Sequence, residues 1–183
     1  MHTYIALFRG INVGGKNMLP MKELVHVLER FGCEQVKNYI QSGNVVFQSR
    51  ENLSHSFADV IGSDIAETHG FKPKVFLLGL DELQAALANN PFSTEDGKAL
   101  HFFFLDAVPS HPDWETLAAV QSKSEQFKVI GKVCYLYAPD GIGRSKLASK
   151  IEGCLGVPVT ARNWNTMQEL ISMATELNQH SRI

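Results

Sequence analysis

Strand-like and helix-like apolar segments occur in the same order in both halves of this sequence. Of all the features of the sequence, this order constrains the fold most strongly. Strand-like and helix-like patterns follow one another as strand, helix, strand, strand, helix, strand. In the first half these segments are residues 3–11, 20–31, 36–40, 45–48, 52–69 and 75–78. In the second half they are residues 101–105, 112–120, 127–130, 133–137, 145–155 and 157–160. We therefore predict an α+β fold of two similar ferredoxin-like (βαββαβ) subdomains in a duplicated arrangement, with a C-terminal helix at about residues 165–177.

A short helical pattern at residues 81–90 and a polar segment at residues 93–98 connect the two halves. We predict a first subdomain at 1–80, a connecting helix and linker at 81–98, and a second subdomain with the C-terminal helix at 99–183. Helical spacing also predicts which apolar side chains face the core. They are Met21, Leu24, Val25, Leu28, Phe31, Leu53, Phe57, Val60, Ile61, Ile65, Trp114, Leu117, Val120, Met167, Leu170, Ile171 and Ala174.

Composition excludes several classes of protein. The 183 residues carry a net charge of −2, so binding to nucleic acid would need a local basic patch. Cys33, Cys134 and Cys154 form no C-x-x-C pair, and the seven histidines form no H-x-x-x-H or H-E-x-x-H pair. We therefore expect no metal site, no cofactor and reduced, half-buried cysteines. No signal peptide or run of about 20 apolar residues is present, which predicts a cytoplasmic protein.

The stretch from Arg9 to Asn17 (RGINVGGKN) joins the first strand to the first helix. Its glycines and asparagines allow positive φ, and Arg9 and Lys16 supply positive charge, as a phosphate cradle requires. A tight structural turn has the same composition. The stretch also falls one residue short of the nucleotide-binding pattern G-x-x-x-x-G-K-[ST], because Asn17 replaces the hydroxyl that ligates magnesium. Nucleotide triphosphatase chemistry is therefore disfavoured, while a structural turn and a looser anion site remain open.

Two further stretches precede helices in the second half. In Gly141–Leu147 (GIGRSKL), Arg144 and Lys146 oppose the helix dipole unless an anion binds there; alternatively, Ser145 caps the helix and both cations are solvated. In Arg162–Thr166 (RNWNT), Trp164 could stack on a base and Arg162 could bind a phosphate. Here the alternative is an N-cap at Asn163 or Asn165 with Trp164 packed into the core.

These motifs, with the hairpin stretch from Tyr39 to Phe47 (YIQSGNVVF) and Asn90-Pro91-Phe92, resemble the bacterial domain of unknown function family 1697. The resemblance extends over nearly the whole chain, with four separated motifs in the same order. It implies an α+β fold of two similar subdomains. It implies no reaction, because none is established for the family.

We hypothesise that four polar stretches converge on one cleft between the two halves and bind a phosphate-bearing ligand. The stretches are Arg9–Asn17, Gln41–Asn44, Arg144–Lys146 and Arg162–Asn165. That ligand would be a nucleotide, a phosphorylated metabolite or a short single-stranded nucleic acid. The alternatives are a transferase or hydrolase that uses the same cleft, although no acid, base or nucleophile is evident, and a protein-interaction module whose motifs are only turns and caps. The predicted ligand-binding residues are Arg9, Asn12, Gly14, Gly15, Lys16, Asn17, Gln41, Ser42, Asn44, Arg144, Ser145, Lys146, Arg162, Asn163, Trp164 and Asn165.

Overall fold

A computed structural model describes residues 1–180. The chain forms two compact units, one of residues 1–85 with the described part of the chain from Glu169 onward, the other of residues 86–168. The first unit contains β1 (His2–Arg9), α1 (Met21–Arg30), β2 (Glu34–Tyr39), β3 (Asn44–Ser49), α2 (His55–His69) and β4 (Lys74–Gly79). Its antiparallel sheet has the order β2-β3-β1-β4.

The second half repeats this arrangement. A connecting helix, α3 (Leu80–Ala88), leads to β5 (Leu100–Leu105), α4 (Trp114–Val120), β6 (Gln126–Ile130), β7 (Val133–Tyr137), α5 (Lys146–Leu155) and β8 (Val159–Asn163). The final helix, α6, runs from Trp164 to His180. The second sheet is also antiparallel and has the order β6-β7-β5-β8.

The predicted fold class is confirmed as two similar βαββαβ halves in an α+β protein. In the first half, one sheet face packs on α1 and α2 through side chains such as Phe8, Leu24, Phe47 and Ile61. The second half has a corresponding core of its own, which includes Leu136 and Ile151. Antiparallel sheets also exclude the parallel-sheet nucleotide triphosphatase fold that the first motif suggested. Duplication as an origin, and the predicted subdomain boundaries, stay predictions.

Short turns connect the paired strands of each half. The β2–β3 hairpin turns at residues 40–43, and the β6–β7 hairpin turns at Gly131-Lys132. Gly156, with φ of 69°, ends α5 as predicted. Strand β8 differs from its prediction, since it begins at Val159 rather than Val157 and continues through Asn163.

Some side chains predicted to face the core are exposed instead. Phe31, Val60 and Trp114 lie largely in solvent, whereas Val27, which was not predicted, is buried on α1. Each of the three exposed residues lies at the margin or end of a helix stripe, where helical periodicity no longer separates the inner face from the outer one. The three cysteines are free and buried, rather than half-buried as the composition suggested.

Candidate functional site

The stretch after β1 forms a small β-hairpin, which we call the N-terminal hairpin (residues 10–17). Val13 and Lys16 pair across it, and the Lys16 N–H donates to the Val13 carbonyl at 3.1 Å. Gly14 and Gly15, at the tip, have φ of 58° and 73°, the signs that a tight two-residue turn of the primed type requires. The glycines therefore have a structural reason to be there.

Asn12 uses its amide group to connect three segments of backbone. Its Nδ2 donates to the carbonyls of Leu19 at 2.8 Å and Gln41 at 3.0 Å, and its Oδ1 accepts from the Leu19 N–H at 2.8 Å. Asn17 donates to the Gly10 carbonyl at 3.0 Å and thereby closes the base of the hairpin. Both asparagines have positive φ, which this residue type tolerates well. These two amides hold the loop in shape.

The structure brings the N-terminal hairpin and the β2–β3 turn together. Besides the bond from Asn12 to Gln41, the Phe8 N–H donates to the Gly43 carbonyl at 2.8 Å. The Asn44 side chain is fully buried and donates to the Tyr39 carbonyl and the Ser42 hydroxyl. Two of the four predicted stretches thus form one assembly, in which the amides of Asn12 and Asn44 serve the fold.

Arg144, Ser145 and Lys146 line a cavity of about 340 Å³ in the second unit. Gly141, with φ of 98°, opens a short 3₁₀ turn at Ile142–Arg144 that leads directly into α5. The Ser145 hydroxyl accepts from the Ala148 N–H at 2.9 Å, so it caps α5 as one interpretation predicted. Arg144 and Lys146 are exposed on either side of this cap. The cap and the cavity coexist at this helix end.

Two carboxylates that the sequence did not single out also line this cavity. Asp140 accepts from the Ser124 hydroxyl at 2.5 Å, and buried Glu125 accepts from the Ser122 N–H at 2.9 Å. The Asp140 bond joins two loop segments, whereas the Glu125 bond lies within one turn. The sequence could have indicated Asp140 as a cavity residue, because it precedes Gly141 in a turn-forming pair. No local pattern in the sequence indicated Glu125.

The stretch Arg162–Asn165 is built into the end of β8 and the start of α6. Asn163 accepts from the Thr166 N–H at 2.9 Å and caps α6, and the Trp164 ring stacks on Phe102 at 5.9 Å. Arg162 donates to the Thr160 hydroxyl at 2.9 Å and the Ala161 carbonyl at 2.8 Å. Burial lowers the pKa of Arg162 to about 10, so its guanidinium remains charged at neutral pH.

The cysteines and the possible metal ligands of residues 1–180 have the following environments. Burial raises the pKa of the Cys33 and Cys134 thiols to about 12, which leaves almost no reactive thiolate. Within this described part of the chain, no three His, Cys, Asp or Glu side chains are grouped as a metal site would need. The helices described there include none with the length and apolar character needed to span a bilayer.

Comparison with known proteins identifies the family. No curated protein matches the chain. Among solved structures, the conserved bacterial protein SP0830 from Streptococcus pneumoniae is similar, with 28% identity and a TM-score of 0.63 over 94% of this chain and 98% of that one. A family model described as a protein of unknown function (DUF1697) matches residues 1–135, which include the N-terminal hairpin and the β2–β3 turn but not the last two motifs. The chain therefore belongs to the DUF1697 family, as its motifs indicated.

Proposed function

We propose that this protein binds a phosphate-bearing ligand, and that the cavity at the start of α5 holds the phosphate. The supporting observation is that Arg144, Ser145 and Lys146, predicted together as an anion site, line one cavity of about 340 Å³. A volume of this size accommodates a phosphate with part of a sugar or metabolite. A nucleotide, a phosphorylated metabolite or the end of a short single strand fits that description.

The cavity lining carries two cations and two carboxylates, and both cations lie at the start of α5. Asp140 accepts from the Ser124 hydroxyl, and Glu125 accepts from the Ser122 N–H within its own turn. The two cations lie at the N-terminal end of a ten-residue helix, whose dipole repels them. A bound phosphate removes this conflict, because it pairs with both side chains and with the positive end of the helix.

Replacing Arg144 or Lys146 by alanine should weaken phosphate-ligand binding about tenfold each, since a charge-assisted contact contributes about 1.5–3 kcal/mol. Thermal-shift titrations with inorganic phosphate, ADP, a sugar phosphate and a short oligonucleotide would measure this. A ligand at 100 times its Kd adds about 2.7 kcal/mol of apparent stability, so a hit is readily detected.

The matched control is Lys150→Ala, which removes the same charge one turn later on α5, at an exposed residue that does not line the cavity. It should leave the ligand-induced shift unchanged. The proposal is contradicted if all three variants lose the ligand-induced thermal shift equally, or if no probe shifts the wild-type protein. The wider hypothesis that Arg9, Lys16 and Trp164 share the same ligand stays a prediction, and Lys16→Ala in the same titration tests it.

A second candidate, protein interaction, is favoured by the outer surface of the N-terminal hairpin. The side-chain amides of Asn12 and Asn17 bond to backbone carbonyls of the same loop. Val13 in the hairpin and Met18 directly after it are 63% and 60% exposed. Ile40, next to the Gln41 that Asn12 contacts, is 51% exposed and has a φ of 50°, which is unfavourable for a β-branched residue. Where exposed apolar side chains form one contiguous patch, they are typical of a docking surface.

If this candidate is correct, Val13→Ser with Met18→Ser should abolish association while leaving the free energy of unfolding within about 0.5 kcal/mol, because exposed side chains contribute little to stability. The measurement is concentration-dependent sedimentation of the pure protein, followed by capture from a cell extract with and without the double substitution. A control substitution, Val108→Ser, removes an equally exposed apolar side chain in the second unit. Association that survives the double substitution counts against this candidate.

A further inference from the structure

A second cavity belongs to none of the predicted motifs. It has a volume of about 560 Å³ and lies in the first unit, at the end of the sheet where β1 begins. Three segments line it: the start of β1, the loop from Asn52 to His55 that enters α2, and the junction from Gly79 to Glu82 where β4 passes into α3. Its volume falls within the range of small-molecule sites.

Hydrogen bonds fix the walls of this cavity. The buried Tyr4 hydroxyl donates to Asn52 Oδ1 at 3.0 Å and accepts from the Leu53 N–H at 2.9 Å, which ties the loop to β1. On the opposite segment, Glu82 Oε2 accepts from the Gly79 N–H at 2.8 Å and fixes the first turn of α3. A cavity with walls set in this way requires little reorganisation when a ligand enters.

The charges of the lining define the ligand. Asp81 and Glu82 are both exposed at the cavity, and none of the described residues that line it is Lys or Arg. Asn52, Ser54 and Asn178 contribute neutral polar groups, while Tyr4, Leu53 and Leu77 contribute apolar surface. The lining therefore combines the carboxylates of Asp81 and Glu82 with an apolar wall, and Met1, His2 and His55 also contribute to it.

The cavity at the corresponding loop of the second half differs in charge, because its lining carries two cations as well as two carboxylates. There too, the loop that follows the third strand and enters the second helix lines a cavity, but that loop carries Arg144 and Lys146. The first-half loop carries Arg50, but the part of it that lines the cavity, residues 52–55, contains no Lys or Arg. The two similar halves thus present cavities at related loops with differently charged linings.

We propose that the first-half cavity binds a small organic cation, an aliphatic amine whose ammonium groups pair with Asp81 and Glu82. Its methylene chain lies against the apolar wall formed by Tyr4, Leu53 and Leu77, and its remaining donors meet the neutral polar groups. Each ammonium–carboxylate contact is charge-assisted and therefore stronger than a hydrogen bond between neutral groups. This site is independent of the phosphate site proposed above, because it uses different residues of a different unit.

The test uses cadaverine and pentanediol, two chains of equal length that differ in charge. Calorimetric titration of the whole protein should detect cadaverine, with pentanediol binding at least about tenfold more weakly, because a charged contact contributes about tenfold or more in affinity. Backbone amide shifts in NMR spectra should map cadaverine to residues 52–55 and 79–82.

Asp81→Asn and Glu82→Gln should each weaken cadaverine binding about tenfold. The glutamine oxygen can still accept from the Gly79 N–H, so the α3 turn is retained. Asp59→Asn, an exposed charge removal on α2 outside this cavity, is the matched control and should have no effect. Failure of cadaverine to bind, equal binding of pentanediol, shifts located elsewhere, or unchanged affinity in both cavity variants overturns the proposal.

Discussion

Replacing Gly43 by alanine should lower the free energy of unfolding by about 3 kcal/mol, through backbone strain and overpacking together. Gly43 has a φ of 76°, and a Cβ there would lie 2.7 Å from Phe8 Cβ and 2.9 Å from Ile11 Cδ1. Phe8 lies in β1, where it pairs with Val75 of β4 on one side and donates its N–H to the Gly43 carbonyl on the other, so it cannot move away. Urea unfolding followed by circular dichroism would measure the change.

Gly14→Ala separates the two contributions. Gly14 also has positive φ, at 58°, but an added Cβ would meet nothing within 4 Å. Its cost should be about 1 kcal/mol, from backbone strain alone. Equal costs at Gly14 and Gly43 would show that the close packing of the β2–β3 turn on β1 is not the reason for glycine at residue 43.

The contrast between these glycines shows what could be predicted from the sequence. Turn chemistry is local, so the glycines of the N-terminal hairpin and of the β2–β3 turn could both be predicted to have positive φ. The close approach of Gly43 to Phe8 and Ile11 depends on strand pairing between residues more than thirty positions apart. A sequence pattern read in short windows carries no such information.

The element order was predicted because strand and helix periodicities are also local. The errors occurred where distant segments decide the outcome. Strand β8 extends through Asn163 because it pairs with β5, where Asn163 lies opposite His101. Phe31 and Trp114 were assigned to the core by spacing alone, and spacing cannot tell how wide a strip of each helix the sheet covers.

The candidate sites show the same difference between local sequence signals and features that depend on distant segments. Arg144, Ser145 and Lys146 were predicted because a glycine pair before a basic helix start is a local signal, and all three line a cavity. The cavity beside Tyr4 and Asp81 was missed because its residues come from separated segments that carry no motif. Asn12 was assigned to a ligand, but the carbonyl of Gln41 that it contacts lies 29 residues away in the chain.

Replacing Asn12 by alanine should lower the free energy of unfolding by about 3 kcal/mol. Leu19 is fully buried, and its N–H and carbonyl both bond to the Asn12 amide, so the substitution leaves two buried backbone groups without their partner. The Gln41 carbonyl loses a donor as well, which loosens the contact between the N-terminal hairpin and the β2–β3 turn. Urea unfolding would measure the loss, and amide hydrogen exchange at Leu19 should accelerate.

Asn17→Ala is the matched control, because Asn17 also has positive φ and makes a single exposed bond, to the Gly10 carbonyl. The backbone strain of alanine is therefore similar in both variants, and Asn17→Ala should cost only about 1 kcal/mol. Asn12→Asp keeps the acceptor for the Leu19 N–H but places a carboxylate against the Leu19 and Gln41 carbonyls, so it should be nearly as destabilising as alanine. If Asn12→Ala and Asn17→Ala cost the same, the Asn12 amide does not hold these segments together, and it would be available to contact a ligand.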